Sequence, residues 1–156
     1  MKVHYCNLGK YIEVLKRSSA ASTFIMETDL NIVKEISMFQ NFVVCFDGLK
    51  NGFVGGYRPV LCIDLSFLKN FLRRTLLSAV GIDENIQMFS LARAVAEGEN
   101  NDSWGWFLTN VRACLGGTNG GSLTIISNQH KILTTLFYAN SSNYSSRLYY
   151  SIRQLY

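Results

Sequence analysis

The sequence predicts an α/β (α+β) protein built on a mixed β-sheet with a helix on one face. Three observations predict this fold class. Three strand-like segments follow one another between residues 57 and 98, a helical segment comes next, and a further strand-like segment follows a glycine-rich link. A strand that follows a helix after a three-strand meander implies a mixed sheet. The predicted order is therefore β-β-β-α-β.

Before this unit, residues 1–56 are predicted to contain one helix and two strands. Apolar residues recur at helical spacing in "NLGKYIEVLKR", residues 7–17. The segments "STFIMET" and "FVVCF" are short and rich in β-branched and aromatic residues, which is typical of strands. The intervening "DLNIVKEISMFQN", residues 29–41, fits either a short helix or an irregular connection.

The first strand of the unit is "RPVLCIDL", which has Pro59 at its start and Asp64 near its end. Its central residues are all apolar, as in a strand covered on both faces. "TLLSAVGID" and "IQMFSLARAVAEG" are the next two strands. Residues 83–85, "DEN", lie between them and supply the turn of a hairpin.

The helical segment is "NNDSWGWFLTNVRACLGG", for which Asp102 or Ser103 is the predicted N-cap and Gly116-Gly117 the stop. Its apolar residues share one face: Trp104, Phe107, Leu108, Val111 and Leu115. After the link "GTNGGS", the fourth strand, "LTIIS", ends immediately before Asn128.

Composition limits the classes of function. A chain of 156 residues with 48% hydrophobic residues is expected to fold as one domain. Fifteen basic and eleven acidic residues give a net charge of +4, which mildly favours polyanionic partners, while Lys16-Arg17 and Arg73-Arg74 are interpreted as solvated surface pairs. The four scattered cysteines form neither a zinc motif nor a disulfide framework. No segment predicts a signal peptide or a membrane span, so an intracellular chain without a membrane partner is expected.

Several of these segments, in this order, resemble the Mutator-like (MULE) transposase domain that is abundant in plant genomes. They are "YRPVLCIDLSFLKN", "AEGENNDSWGWFL" and "LTIISNQHK". The resemblance implies a ribonuclease H-like fold, with residues 1–56 as a lead-in segment and residues 57–156 as a partial domain that lacks its C-terminal part. It also implies DDE transposase chemistry, in which DNA is cut and joined with two divalent ions, Mg²⁺ or Mn²⁺.

By this resemblance, Asp64 is the first acid of the metal site and Asn128 occupies the position of the second acid. Two hard dications need several anionic oxygens, and the amide of Asn128 brings no negative charge. The family's third acid has no counterpart before Tyr156, where the sequence ends. Catalytic activity is therefore expected to be lost.

Four further residues bear on this site. Glu97 and Glu99 match the family, and they are candidates for a residual ion site with Asp64 if their strand extends that far; solvation at the sheet edge is the alternative. His130 is interpreted as polar surface in preference to a substitute metal ligand. Arg93 occupies a strand position that is apolar in the family, where burial without a partner would be costly.

The expected function is that of a catalytically inactive, transposase-derived protein with DNA as its partner and the nucleus, or otherwise the cytoplasm, as its location. The alternative is a non-catalytic protein-interaction or DNA-binding module, in which "NYSSRLYYSIRQLY" stacks on bases or forms a partner helix. A sheet without its last strand and helices should have an incompletely covered face, which predicts marginal stability and self-association.

Overall fold

The computed structural model describes residues 7–31, 36–56, 58–69, 74–116, 123–127 and 147–150. The helices in this part of the chain are α1 (Leu8–Ser18), α2 (Asp47–Gly56) and α3 (Asn101–Cys114). The strands are β1 (Thr23–Asn31), β2 (Ile36–Cys45), β3 (Arg58–Phe67), β4 (Thr75–Ile82), β5 (Met88–Ala96), β6 (Thr124–Ser127) and β7 (Arg147–Tyr150). None of these helices has the length and apolar character needed to cross a membrane.

The seven strands form one mixed sheet in the order β1-β2-β5-β4-β3-β6-β7. The neighbouring pairs β1–β2, β2–β5, β5–β4 and β4–β3 are antiparallel. By contrast, β6 is parallel to β3 and β7 is parallel to β6. The predicted order β-β-β-α-β is confirmed by β3, β4, β5, α3 and β6. Since β3, β5 and β6 run in the same direction, their carboxyl ends lie at the same edge of the sheet.

Strands from both sides of Tyr57 belong to this sheet, because β2 pairs with β5 over Phe42–Cys45. The sheet also extends past the predicted order, since β7 pairs with β6. The expectation of a partner helix in the tyrosine-rich segment is wrong for Arg147–Tyr150, which are extended. Pairing with the edge of β6 supplies these residues with backbone hydrogen bonds in the extended conformation.

The interpretation of residues 29–41 as a helix or an irregular connection is wrong for residues 29–31 and 36–41, which are strand. Asp29–Asn31 end β1, Ile36–Asn41 begin β2, and the two strands pair up to Asn31 and Ile36. Residues 32–35 lie outside the described part of the chain. The apolar spacing in this segment was ambiguous between helix and strand, and the antiparallel ladder decides for the strand because it supplies the backbone hydrogen bonds.

Helix α2 was not predicted, because four of its ten residues are glycine, which disfavours helix. Tertiary contacts stabilise it. Phe53 is buried, with its ring centroid 6.4 Å from that of Phe89, and the backbone N–H of Asp47 donates to Ser22 Oγ at 2.9 Å. The Asp47 carboxylate also accepts a 2.7 Å hydrogen bond from Asn51 Nδ2 one turn later.

The N-cap of helix α3 lies two residues before Asp102 and three before Ser103, the two predicted cap residues. Its N-cap is Asn100, whose Oδ1 accepts a 2.7 Å hydrogen bond from the backbone N–H of Ser103. Asp102 and Ser103 therefore lie in the first turn, where the Asp102 carboxylate is favourable to the helix dipole. The predicted glycine stop is confirmed at Gly116, which has a φ of 70°; Gly117 lies outside the described residues.

The hydrophobic core lies between α3 and one face of the sheet. Helix α3 contributes Trp104, Phe107, Val111 and Cys114, its C-cap Leu115 adds to them, and the sheet contributes buried residues from β2, β3, β4, β5 and β6. Strand β5 presents alanines at 92, 94 and 96, all nearly inaccessible to solvent. On the opposite face, α1 packs on β1, where Ile12 and Phe24 are buried.

The absence of a side chain at Gly81 on β4 leaves room for the ring of Phe89, its partner on β5. A Cβ at this position would clash with Phe89 Cζ and Cε1 and would lie 2.9 Å from Phe53 Cδ2. We expect Gly81→Ala to lower the free energy of unfolding by about 1 to 3 kcal/mol, because both rings would have to move. Urea denaturation measures the difference.

The matched control is Gly55→Ala in α2, where an added Cβ meets nothing within 4 Å. It should be neutral or stabilising by up to about 1 kcal/mol, because alanine is the better helix former. Equal stability of the two variants would contradict the described packing of Phe53 and Phe89.

Candidate metal and nucleic-acid site

Asp64 lies three residues before the carboxyl end of β3, on the sheet face that does not contact α3. Leu61 and Ile63 are buried, and Asp64 between Ile63 and Leu65 is exposed. This alternation follows from the two-residue period of a strand. Asp64 is also the one acidic residue within the ranges of β3, β4, β5 and β6, so these four strands contribute a single carboxylate to this surface.

Two polar residues continue from Asp64 across the neighbouring strands. Asp64 pairs with Ser78 on β4, and Ser78 pairs with Arg93 on β5. We call Asp64, Ser78 and Arg93 the polar row. Adjacent strands are about 4.8 Å apart, so the backbones at Asp64 and Arg93 are about 10 Å apart.

Strand β6 lies on the other side of β3, and its carboxyl end is at the same edge. Ile63, which precedes Asp64, pairs in parallel with Ser127. Asn128 follows Ser127 in the sequence but lies outside the described residues, as does His130. The assignment of Asn128 to the position of a second acid stays a prediction.

The condition for placing Glu97 and Glu99 on one strand face is not met, because β5 ends at Ala96. A carboxylate oxygen of Glu97 is 3.8 Å from Nη1 of Arg74, and its side chain is 65% exposed. Its backbone N–H lies 3.3 Å from Asn41 Oδ1, to which it donates, and Glu99 is half-buried. Across the described ranges, no three or more Asp, Glu, His or Cys side chains form a group that could hold a metal ion.

Arg74 was interpreted as solvated surface, and this is wrong because the residue is buried. Its Nη1 donates to the carbonyl of Gln40 at 2.8 Å, and its Nη2 donates to the carbonyl of Phe39 at 2.7 Å. The guanidinium carbon also lies 5.2 Å from the centroid of the Phe39 ring. Nothing in the sequence around Arg73-Arg74 distinguishes this structural arginine from a surface one.

Arg93 is exposed, so the costly burial considered from the sequence does not occur. Its Nε donates a 2.8 Å hydrogen bond to Ser90 Oγ, three residues earlier on the same strand. A regular strand would place residues 90 and 93 on opposite faces. The contact therefore depends on an irregularity in β5.

The described thiols are free, and Cys62 is the one close to Asp64 in sequence. It lies two residues before Asp64 on the same sheet face, and burial raises the pKa of its thiol. Cys45 and Cys114 lie on the core side. The S–H of Cys45 donates to Cys114, and this hydrogen bond, together with burial, raises the pKa of Cys45. Accepting this hydrogen bond lowers the pKa of Cys114. Whether neutral or ionised, sulfur is a poor ligand for hard dications.

The family model described as the MULE transposase domain matches residues 60–145, more than half of the chain. The match begins in β3 and includes β4, β5, α3 and β6, and thus the polar row. Neither a curated protein nor a solved structure matches the chain.

Proposed function

Because the chain belongs to the MULE transposase domain family, we propose that it is a transposase-derived protein that binds DNA and has lost catalysis. The family assignment supports a transposase-derived function. We extend it to a degenerate DDE transposase of the plant Mutator-like type, located in the nucleus. The observation that carries the proposal is the exposed carboxylate of Asp64 near the carboxyl end of β3, next to Ile63, which pairs in parallel with Ser127 at the end of β6.

We further propose that residues 57–156 belong to a ribonuclease H-like domain, preceded by a lead-in segment in residues 1–56. The proposal is supported by three consecutive antiparallel strands, β3 to β5, and by α3 leading to β6 parallel to the first of them. It is also supported by β7, parallel to β6. In this arrangement the carboxyl ends of β3 and β6 meet at one edge, where an open α/β sheet usually binds its ligands.

The described residues do not fit the two divalent ions that the family implies. Two dications need several carboxylates around them, whereas β3 to β6 provide Asp64 alone and Glu97 pairs with Arg74. Asn128 would add an amide oxygen without charge. We therefore derive no cleavage step for this chain, and we propose Asp64 as a remnant of the metal site.

DNA binding without cleavage needs positive charge more than metal ions. Phosphate contacts by lysine and arginine dominate non-specific affinity for duplex DNA. The chain carries a net charge of +4, and exposed Arg93 lies on the same sheet face as Asp64. These two features support DNA as the partner.

The test compares the full-length chain with Asn128→Asp, and with Asn128→Asp combined with Asp64→Ala. We expect the unsubstituted chain, called the original chain below, to bind a mixed-sequence DNA duplex with an affinity that falls as the salt concentration rises. It should not nick this duplex in the presence of Mg²⁺ or Mn²⁺. Asn128→Asp should increase Mn²⁺ affinity by calorimetry, because a second carboxylate joins Asp64. The double variant should lose that increase, and neither variant should transpose DNA.

Asn85→Asp is the matched control, because it makes the same charge change in the exposed β4–β5 turn, at the opposite edge of the sheet. It should leave Mn²⁺ affinity unchanged. An Asn128→Asp variant that behaves like this control would refute the placement of Asn128 beside Asp64. Asp64-dependent nicking by the original chain would refute the loss of catalysis.

A protein-interaction module is the second candidate function. It is favoured by exposed apolar side chains at the tip of the β4–β5 hairpin, where Ile86 and Met88 are 70% and 73% exposed. Sedimentation across a range of salt concentrations separates the candidates, since self-association through apolar surface should persist at high salt while DNA binding is lost.

A further inference from the structure

We propose that Arg93 binds a backbone phosphate of a nucleic-acid strand that runs along the polar row, from Arg93 past Ser78 to Asp64. This inference rests on the proposed DNA binding and makes it specific to one side chain. It places the DNA on the sheet face opposite α3, with its path running across β5, β4 and β3.

The position of Arg93 supports this path. Arg93 lies on the same row as Asp64, separated from it by Ser78 alone. Arg93 lies on a central strand, and its backbone is about 10 Å from that of Asp64. A strand with one phosphate on Arg93 would therefore pass close to Asp64.

An irregularity in β5 determines how the Arg93 side chain is held. In the β4–β5 register, Ala79 pairs with Ala92 and Val80 pairs with Ser90, so Leu91 is the extra residue of a bulge. Leu91 and Ala92 are adjacent and are both buried. The bulge therefore returns Ser90 to the face that carries Arg93, which allows Arg93 Nε to donate to Ser90 Oγ at 2.8 Å.

This hydrogen bond uses Nε and leaves the Nη1 and Nη2 groups for a ligand. These terminal N–H groups match two oxygens of one phosphate, which is the bidentate contact that arginine favours. Anchoring at Nε also reduces the number of side-chain conformations that must be lost on binding. The bulge thus orients a phosphate-binding group before DNA arrives.

The charges around Arg93 leave its positive charge available. Its register partners are Val44 on β2 and Ser78 on β4, neither of which is acidic. Within the described ranges, Arg93 makes no ion pair, in contrast to Arg74. A nearby positive charge is needed at this surface because the Asp64 carboxylate alone would repel a phosphate.

The experiment measures the affinity of the full-length chain for a mixed-sequence DNA duplex over a range of salt concentrations. We expect Arg93→Ala to weaken binding about tenfold, as for a lost charge-assisted hydrogen bond. It should also reduce the salt slope, the steepness with which the logarithm of the binding constant falls with the logarithm of the salt concentration, by about one. Arg93→Lys should keep the slope and recover part of the affinity, because lysine keeps the charge but cannot bind bidentately. Ser90→Ala should weaken binding less than Arg93→Ala and leave the slope unchanged.

Arg58→Ala is the matched control, because Arg58 is also exposed but lies at the opposite end of β3 from Asp64. It should change neither affinity nor slope by as much as Arg93→Ala. If the original chain binds DNA and Arg93→Ala leaves the slope unchanged, or Arg58→Ala has the same effect, the role of Arg93 is overturned while DNA binding stands. If the original chain does not bind DNA, both proposals are overturned.

Discussion

Replacing Trp104 by alanine should lower the free energy of unfolding by about 3 to 5 kcal/mol. The indole is 1% exposed and lies in the first turns of α3, facing the sheet. Its ring packs edge-to-face on Phe107, with 6.3 Å between the centroids. A domain of this size is stable by only about 5 to 15 kcal/mol, so Trp104→Ala should leave little margin against unfolding.

Chemical denaturation followed by circular dichroism measures this loss without relying on the tryptophan signal. Thr109→Ala is the matched control, since Thr109 is an exposed residue of the same helix; it should change stability by less than about 0.5 kcal/mol. A loss below about 1 kcal/mol for Trp104→Ala would contradict the described packing of α3 on the sheet.

Replacing Arg74 by alanine should lower the free energy of unfolding by about 3 kcal/mol, because the buried guanidinium is lost and the carbonyls of two half-buried residues of β2 lose charge-assisted hydrogen bonds. These carbonyls, of Phe39 and Gln40, lie 2.7 and 2.8 Å from the guanidinium nitrogens. Arg74 immediately precedes β4, so its side chain connects β2 to β4 across the end of β5.

Glu97→Gln distinguishes the contribution of the Arg74 hydrogen bonds to stability from the contribution of its ion pair. The Glu97 side chain is 65% exposed, and its oxygen is 3.8 Å from Arg74, so losing its charge should cost less than about 1 kcal/mol. Denaturation of both variants under identical conditions provides the comparison. Equal losses would mean that the ion pair, and not the carbonyl contacts, makes Arg74 important.

The strands and helix from β3 to β6 could be predicted because their signals are local. The apolar run of β3, the hairpin turn after β4 and the helical spacing of α3 each lie within a few residues. Helix α2 could not be predicted, since its glycines disfavour helix and its stability depends on Phe53 contacting Phe89, which is distant in sequence. The N-cap of α3 was misplaced because several adjacent residues are suitable caps.

For the candidate site, the sequence could place Asp64 near a strand end but could not identify its neighbours. Register is a long-range property, and the polar row exists only because β3, β4 and β5 align in one way. Arg93 was interpreted from the apolar residue that the family usually has at this position, whereas here its side chain is exposed. Arg74 depends on carbonyls more than thirty residues away in the chain.

The mixed direction of the strands also determines how the chain can assemble. Antiparallel pairs such as Asn31 with Ile36 close short loops, whereas pairing Val60 with Thr124 closes a loop of about sixty residues. Loop-closure entropy makes the parallel pair less favourable by about 2 kcal/mol. Helix α3 lies inside that loop, so its packing compensates this cost. The local antiparallel pairs β1–β2, β3–β4 and β4–β5 can therefore form early in folding, and β6, the strand that leads to Asn128, joins β3 after them.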